Sequence, residues 1–159
     1  MLHARSPAEI DVARRRVVRI GKLSDNIIGF GRFGIGLDGM LAWIPGFGEA
    51  YSLMAGALLV LLGLRVRAPA LVLARILLII GLRSAAGAPA ALLLGPLYPI
   101  SGALVDVFRG HKWSADMLAK SIDNTLYIEG KKRDLAADPE LANAVDQARA
   151  GRRRVVFLG

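Results

Sequence analysis

The chain has 159 residues, 54% of them hydrophobic, a mean hydropathy of +0.45 and a formal net charge of +8. That length suits one domain, and the apolar content is high for an ordinary soluble one. It contains no cysteine and only two histidines, His3 and His111, far apart in sequence, so disulfides, thiolate metal sites and a classical zinc site are excluded and no metal or cofactor is expected.

The charges are unevenly placed. From Ile27 through Phe108 only eight residues are charged: Arg32, Asp38, Glu49, Arg65, Arg67, Arg75, Arg83 and Asp106. This block pattern predicts a membrane-embedded middle with aqueous flanks. The basic residues flank the apolar block and form no aromatic-interleaved patch, so anionic lipid is the expected partner and nucleic acid is not. No apolar stretch precedes residue 27, so a cleaved secretory signal is not expected.

Residues 6–23 predict an amphipathic helix. Ser6 is placed to cap it, Pro7 suits its first turn, and Glu9 completes a Ser-x-x-Glu capping box. Ile10, Ala13, Val17 and Ile20 recur at helical spacing, with Arg15, Arg16, Arg19 and Lys22 around the other side. Such a helix either lies on an anionic membrane through its headgroup-binding arginines or packs on the domain with a solvated basic face. Residues 24–36 predict an irregular segment, rich in glycine but without the Gly-Lys-Ser/Thr of a phosphate loop.

A Pro/Gly break follows. Pro45 donates no backbone hydrogen bond and pushes Ile44 away from helical geometry, and Gly46 and Gly48 loosen the same point. Leu37 to Trp43 predicts a short helix that stops there, and a charge-free helix then runs over about 50–64. Glu49 falls in its first turn, where negative charge suits the helix dipole. The sharper reading has Asp38 and Glu49 facing each other across the break at membrane depth. With the preceding turn this helix approaches the roughly 20 residues that cross a bilayer. Ser52, Gly56 and Gly63 are spaced for close helix packing.

Arg65 to Pro69 predicts a turn, and a helix over about 70–86 carries Arg75 and Arg83 within roughly 80° of each other. A charge inside a bilayer costs about 2.5–3.5 kcal/mol on insertion scales, so these arginines predict a face turned to protein, water or lipid phosphate. Pairing with Asp38, Glu49 or Asp106 is the hypothesis. Residues 84–105 carry no charge, and Pro89, Pro96 and Pro99 predict broken helix. Pro99 and Gly102 echo the earlier Pro-x-x-Gly break, the pattern of two discontinuous helices in matching positions. From Gly102 a long helix is expected to about Ile128, with Lys112 and Trp113 at headgroup level. Asp138-Pro139-Glu140 predicts a capped terminal helix. The tail from Arg152 to Leu158 reads as mobile.

The residues Arg32-Phe33-Gly34, Leu37-Asp38, Ile44-Pro45-Gly46-x-Gly48-Glu49-Ala50, Pro99-x-x-Gly102 and Asp106 resemble a family of small prokaryotic proteins known as domain of unknown function 4112. The resemblance covers about residues 20–127. Glu49 replaces the family's usual Asp. Ala103 stands where an acid is expected, no Asp stands seven residues before Pro99, and Lys112 replaces a frequent Asn. The resemblance implies a helical membrane-associated protein and no known activity, ligand or cofactor.

The expected fold is therefore all-α: a membrane-embedded helical hairpin core with two Pro/Gly-broken helices, flanked by amphipathic basic helices. It divides into a basic N-terminal helix (1–24), a membrane-associated core (25–130) and a basic C-terminal helix and tail (131–159). The leading functional reading is a structural or interaction module in the cell membrane, termini cytoplasmic. The alternative is an oligomeric proton- or cation-linked transport unit using Asp38, Glu49 and Asp106. An enzyme is not expected, since the chain has no nucleophile motif, metal cluster or phosphate loop. With two crossings and both ends inside, Arg65 and Arg67 fall on the outer side; a monotopic hairpin avoids translocating them.

Overall fold

A computed structural model describes residues 3–25, 28–30, 33–35, 47–94 and 110–159. The first helix, α1, spans Pro7–Asp25. Ser6 Oγ accepts from the Glu9 amide at 3.4 Å, as the capping motif requires. Ile10, Ala13 and Val17 form its buried stripe, while Arg15, Arg16, Arg19 and Lys22 are exposed. Of the two readings of this helix, the packed one is observed: its apolar face lies against protein.

Helix α2, Phe47–Arg65, and helix α3, Ala70–Leu94, form an antiparallel hairpin around the short turn at Val66–Pro69. Two glycines set their close approach, as the small-residue spacing predicts. A Cβ on Gly56 would lie 2.6 Å from Ile80 Cδ1, and one on Gly63 would lie 2.5 Å from Leu73 Cδ2. Helix α4, Gly110–Asp123, packs on α1, α2 and α3 together. Its Leu118 is wholly buried and joins Val17, Leu59, Leu62, Ile76, Ile80 and Ile122 in one core. At Gly21 a Cβ would lie 3.0 Å from the Ala115 Cβ, so α1 and α4 approach closely there.

Strand β3, Thr125–Ile128, follows α4 directly. A short 3₁₀ helix, η1 (Lys132–Ala136), and helix α5 (Pro139–Ala150) then return the chain to strand β4, Arg154–Phe157. The two strands pair in parallel, Thr125 opposite Arg154 and Ile128 opposite Phe157. Such pairing needs a crossover, which η1 and α5 supply. Asp138 caps α5 by accepting from the Leu141 amide at 3.0 Å, in agreement with the sequence. Two further strands, β1 (Ile28–Phe30) and β2 (Phe33–Ile35), pair antiparallel.

The fold is mostly helical, and five expectations change. It is not all-α. Residues 28–35 include a strand pair where an irregular segment was expected. The helix from α4 stops at Asp123 instead of reaching Ile128, because Thr125-Leu-Tyr-Ile is β-branched and aromatic and finds a partner strand. The tail is not mobile: Val156 and Leu158 are buried, and β4 is hydrogen-bonded to β3. Helix α3 also continues through Pro89 to Leu94. Among the described residues, no helix is long and apolar enough to cross a membrane.

Leu118→Ala removes a fully buried side chain and is expected to cost about 2–5 kcal/mol in denaturant unfolding. Gly56→Val overpacks the hairpin and is expected to cost about 1–3 kcal/mol. Leu58→Ala, on the exposed side of α2, should stay within roughly 0.5 kcal/mol of wild type.

Candidate functional site

The last carbonyls of a helix have no partner within it and must find one elsewhere. At the end of α2 and just beyond it, four consecutive carbonyls meet donors from three parts of the chain, the N-terminal segment, β3 and β4, and Leu64 also accepts from the Arg67 amide. His3 Nδ1 lies 3.0 Å from the Leu64 oxygen. The Ala4 amide donates to Arg65 at 2.9 Å. The Tyr127 hydroxyl, from β3, donates to Val66 at 3.0 Å. The Arg154 guanidinium, from β4, donates to Arg67. Arg67 in turn donates to the carbonyl of Phe157. Burial pushes the Tyr127 phenol above its ordinary value, partly offset by its hydrogen bond to Thr125 and by Arg154. It stays the neutral donor that the Val66 carbonyl needs.

Cations collect at this junction, as the negative end of a helix dipole favours. Arg65 lies 3.3 Å from Glu9, which also accepts from the Arg5 amide at 3.3 Å. Glu9 thus bridges α1 to the hairpin instead of closing a reciprocal box on Ser6. Nearby, Arg14 of α1 grips Asp123 at the end of α4 through two bonds of 2.6 and 2.9 Å. The Arg14 hydrogen bond holds the Asp123 carboxyl below its ordinary value, with partial burial opposing.

The hairpin's outer face is largely apolar and uncovered, with exposed Arg75 among its leucines. On α2, Leu53, Met54, Leu58 and Leu61 are exposed; on α3, Leu71, Leu77, Leu78 and Leu82 are. Met54 is 68% and Leu82 62% exposed, so these are not residues with only an edge in solvent. A set of this size exceeds the scattered exposed leucines of ordinary surfaces and marks an interaction face.

The residues expected to form an intramembrane polar site are mostly not brought together in view. Asp38, Asp106, Pro45, Gly46, Pro99 and Gly102 lie outside the described residues. Gly48 and Glu49 lie in the first turn of α2, and Arg83 in α3; for these the description stops at the backbone. Arg75 is exposed on α3. Lys112 is partly buried and Trp113 exposed in the first turn of α4. Among the described residues, no group of three or more metal-ligating side chains is found. The junction residues His3, Arg5, Tyr127 and Arg154 escaped sequence reasoning. Alternating β-formers at 125–128 and 154–157 were the only signal that these segments would be tied down.

Residues 3 and 4 and the strand pair are thus all bonded to the 64–67 segment, so the described N-terminal residues, the C-terminal strand and the hairpin turn lie at one pole of the molecule.

These features define a small helical protein built on an apolar hairpin with a cationic pole. The chain belongs to the family described as Domain of unknown function (DUF4112), whose family model matches residues 13–122. The match runs from α1 to the end of α4 and leaves out β3, η1, α5 and β4. No curated protein and no solved structure matches the chain.

The Asp123 carboxyl has a lowered value in the fold, so its contribution to stability is full above the unfolded value and fades as pH falls through the folded one. Unfolding of wild type and Asp123→Asn, followed against pH, should therefore show a constant difference above roughly pH 5 that begins to narrow near about pH 4 and closes only below the lowered folded value. The difference should be small, because the two side chains are 42% and 48% exposed.

Proposed function

We propose that this protein is a membrane-associated structural or interaction module of the cell membrane, held by its hairpin and its cationic pole. The observation that carries this is the polarity along the hairpin: arginines gather at the turn, and exposed leucines run away from it on both helices. That order suits a lipid surface, with cations at anionic headgroups and leucines below them. Arg16 on α1, which lines one hollow with Arg65, extends the headgroup contacts, whereas Lys112 and Trp113 start α4 at the depth of Ile79, away from the pole. The hairpin enters from one side and need not carry Arg65 and Arg67 across. Basic charge at the ends and turn puts this pole on the cytoplasmic side. The alternative, a proton- or cation-linked transport unit, rests on Asp38, Glu49 and Asp106, and no observation among the described residues favours it.

Flotation with phosphatidylcholine–phosphatidylglycerol vesicles tests the proposal. Wild type should float and resist a carbonate wash. Leu58→Gln/Leu78→Gln/Leu82→Gln, three changes on the exposed face, should reduce vesicle binding at least about tenfold, since each buried leucine is worth about 1.5–3 kcal/mol. Its melting temperature should stay close to wild type. Equal flotation of the two proteins overturns the lipid-seated hairpin.

A further inference from the structure

We infer that the cleft between α4 and the start of β4 is a binding site for a phosphate-bearing ligand. The cleft has a volume of about 290 Å³ and opens to solvent beside the start of α3. Lys120, Arg152 and Arg154 line it, and among the described residues no carboxylate does. Ser121 and Asn124 add neutral hydrogen-bonding groups, and Val72 and Met117 give an apolar wall. Three cations bordering one cleft beside neutral hydrogen-bonding groups suit an oxyanion of several oxygens, and arginine forks suit phosphate in particular. The space lies at the small end of ligand pockets, which run about 300–1,000 Å³, and so fits a phosphate ester and little more.

Two details show that the cations are held for this cleft. Asp123, the acid adjoining Asn124 in sequence, gives its carboxylate to Arg14 of α1 and leaves the cleft's charge uncompensated. Arg154 is anchored by one bond to the Arg67 carbonyl, which fixes its guanidinium at the rim. Arg152 carries a further mark. Its φ is +54°, a left-handed backbone that glycine adopts without penalty, yet the glycine stands one position earlier, at Gly151 with φ −76°. A side chain is kept where the backbone would be easier without one.

Lys120 lies within the family match and both arginines lie beyond it, so the site is assembled by this chain's C-terminal unit. The wall formed by Val72 continues to exposed Leu71, the first leucine of the α3 apolar face. A phosphate seated here on a glycerolipid therefore has an apolar surface beside it for its chains. That lipid form of the ligand rests on the membrane reading above; the phosphate site itself does not.

The test uses the full chain, its Lys120→Gln/Arg152→Gln variant, the single variant Arg152→Gly, and a charge-matched control, Lys132→Gln/Arg133→Gln, on exposed η1. Calorimetric titration with glycerol 1-phosphate measures the soluble ligand. Flotation with phosphatidylcholine vesicles, with and without phosphatidic acid, measures the lipid form. Wild type and the control should bind alike. The double variant should lose about thirtyfold, from about a fivefold loss for each of the two cations near a phosphate surface. Arg152→Gly should weaken binding without lowering the melting temperature, which separates ligand contact from folding. Binding of glycerol 1-phosphate alone identifies a free phosphate ester as the ligand. A phosphatidic-acid dependence of flotation that the double variant loses identifies a lipid headgroup. If wild type never floats, the hairpin reading fails while the soluble titration still decides the site. Absence of binding in both forms, or equal loss in the control, overturns the proposal.

Discussion

The exposed end of one helix organises this molecule. Helix α2 ends at Arg65, and the carbonyls from Leu64 to Arg67 accept from other parts of the chain, Leu64 also from the Arg67 amide. His3, Ala4, Tyr127 and Arg154 are the distant partners. An intramolecular hydrogen bond is worth about 0.5–1.5 kcal/mol net, and the four together tie residues 3–4 and the strand pair to the hairpin turn. The same helix end draws cations, which explains why Arg5, Arg65, Arg67 and Arg154 meet at one pole without a dense set of acids to neutralise them.

From that pole the rest of the architecture follows. Helices α1 and α4 cover one side of the hairpin, locked together by the Arg14–Asp123 pair and by the close approach of Gly21 to Ala115. The parallel strand pair closes the pole itself. The other side of the hairpin is left bare, and its leucines point outward over most of the length described. Cations thus gather at the pole and leucines dominate the bare face beyond it, with Arg75 the exposed charge described among them. A surface divided in this way suits a boundary between water and lipid, where each half meets its preferred surroundings.

The C-terminal unit adds something of its own. It lies outside the family match, yet its strand completes the junction and its arginines border the cleft beside α4. Arg67 and Arg152 are the two non-glycine residues found with positive φ among those described, and both stand at this pole. Each holds a cationic side chain at a sharp change of chain direction. Local backbone ease has been given up there, and what is gained is a position for charge.

Much of the local structure was readable from the residues alone. The Ser6–Pro7–Glu9 start, the buried stripe of α1, the Arg65–Pro69 turn, the glycine spacing of α2 and the Asp138 cap all depend on neighbours a few positions away, and such signals survive in one dimension. The family pattern was readable for the same reason. What stayed hidden depends on partners far along the chain. A four-residue stretch of β-formers is ambiguous until another strand is found, so Thr125–Ile128 looked like more helix and Arg154–Phe157 like a loose tail. Glu9 looked committed to its own helix until Arg65 was placed beside it. Above all, hydropathy reports how apolar a segment is and not which way its turn faces. The residues 64–67 carbonyls, bonded to both ends of the chain, put turn and termini on one side, a fact carried by contacts across some 60 to 90 positions of sequence.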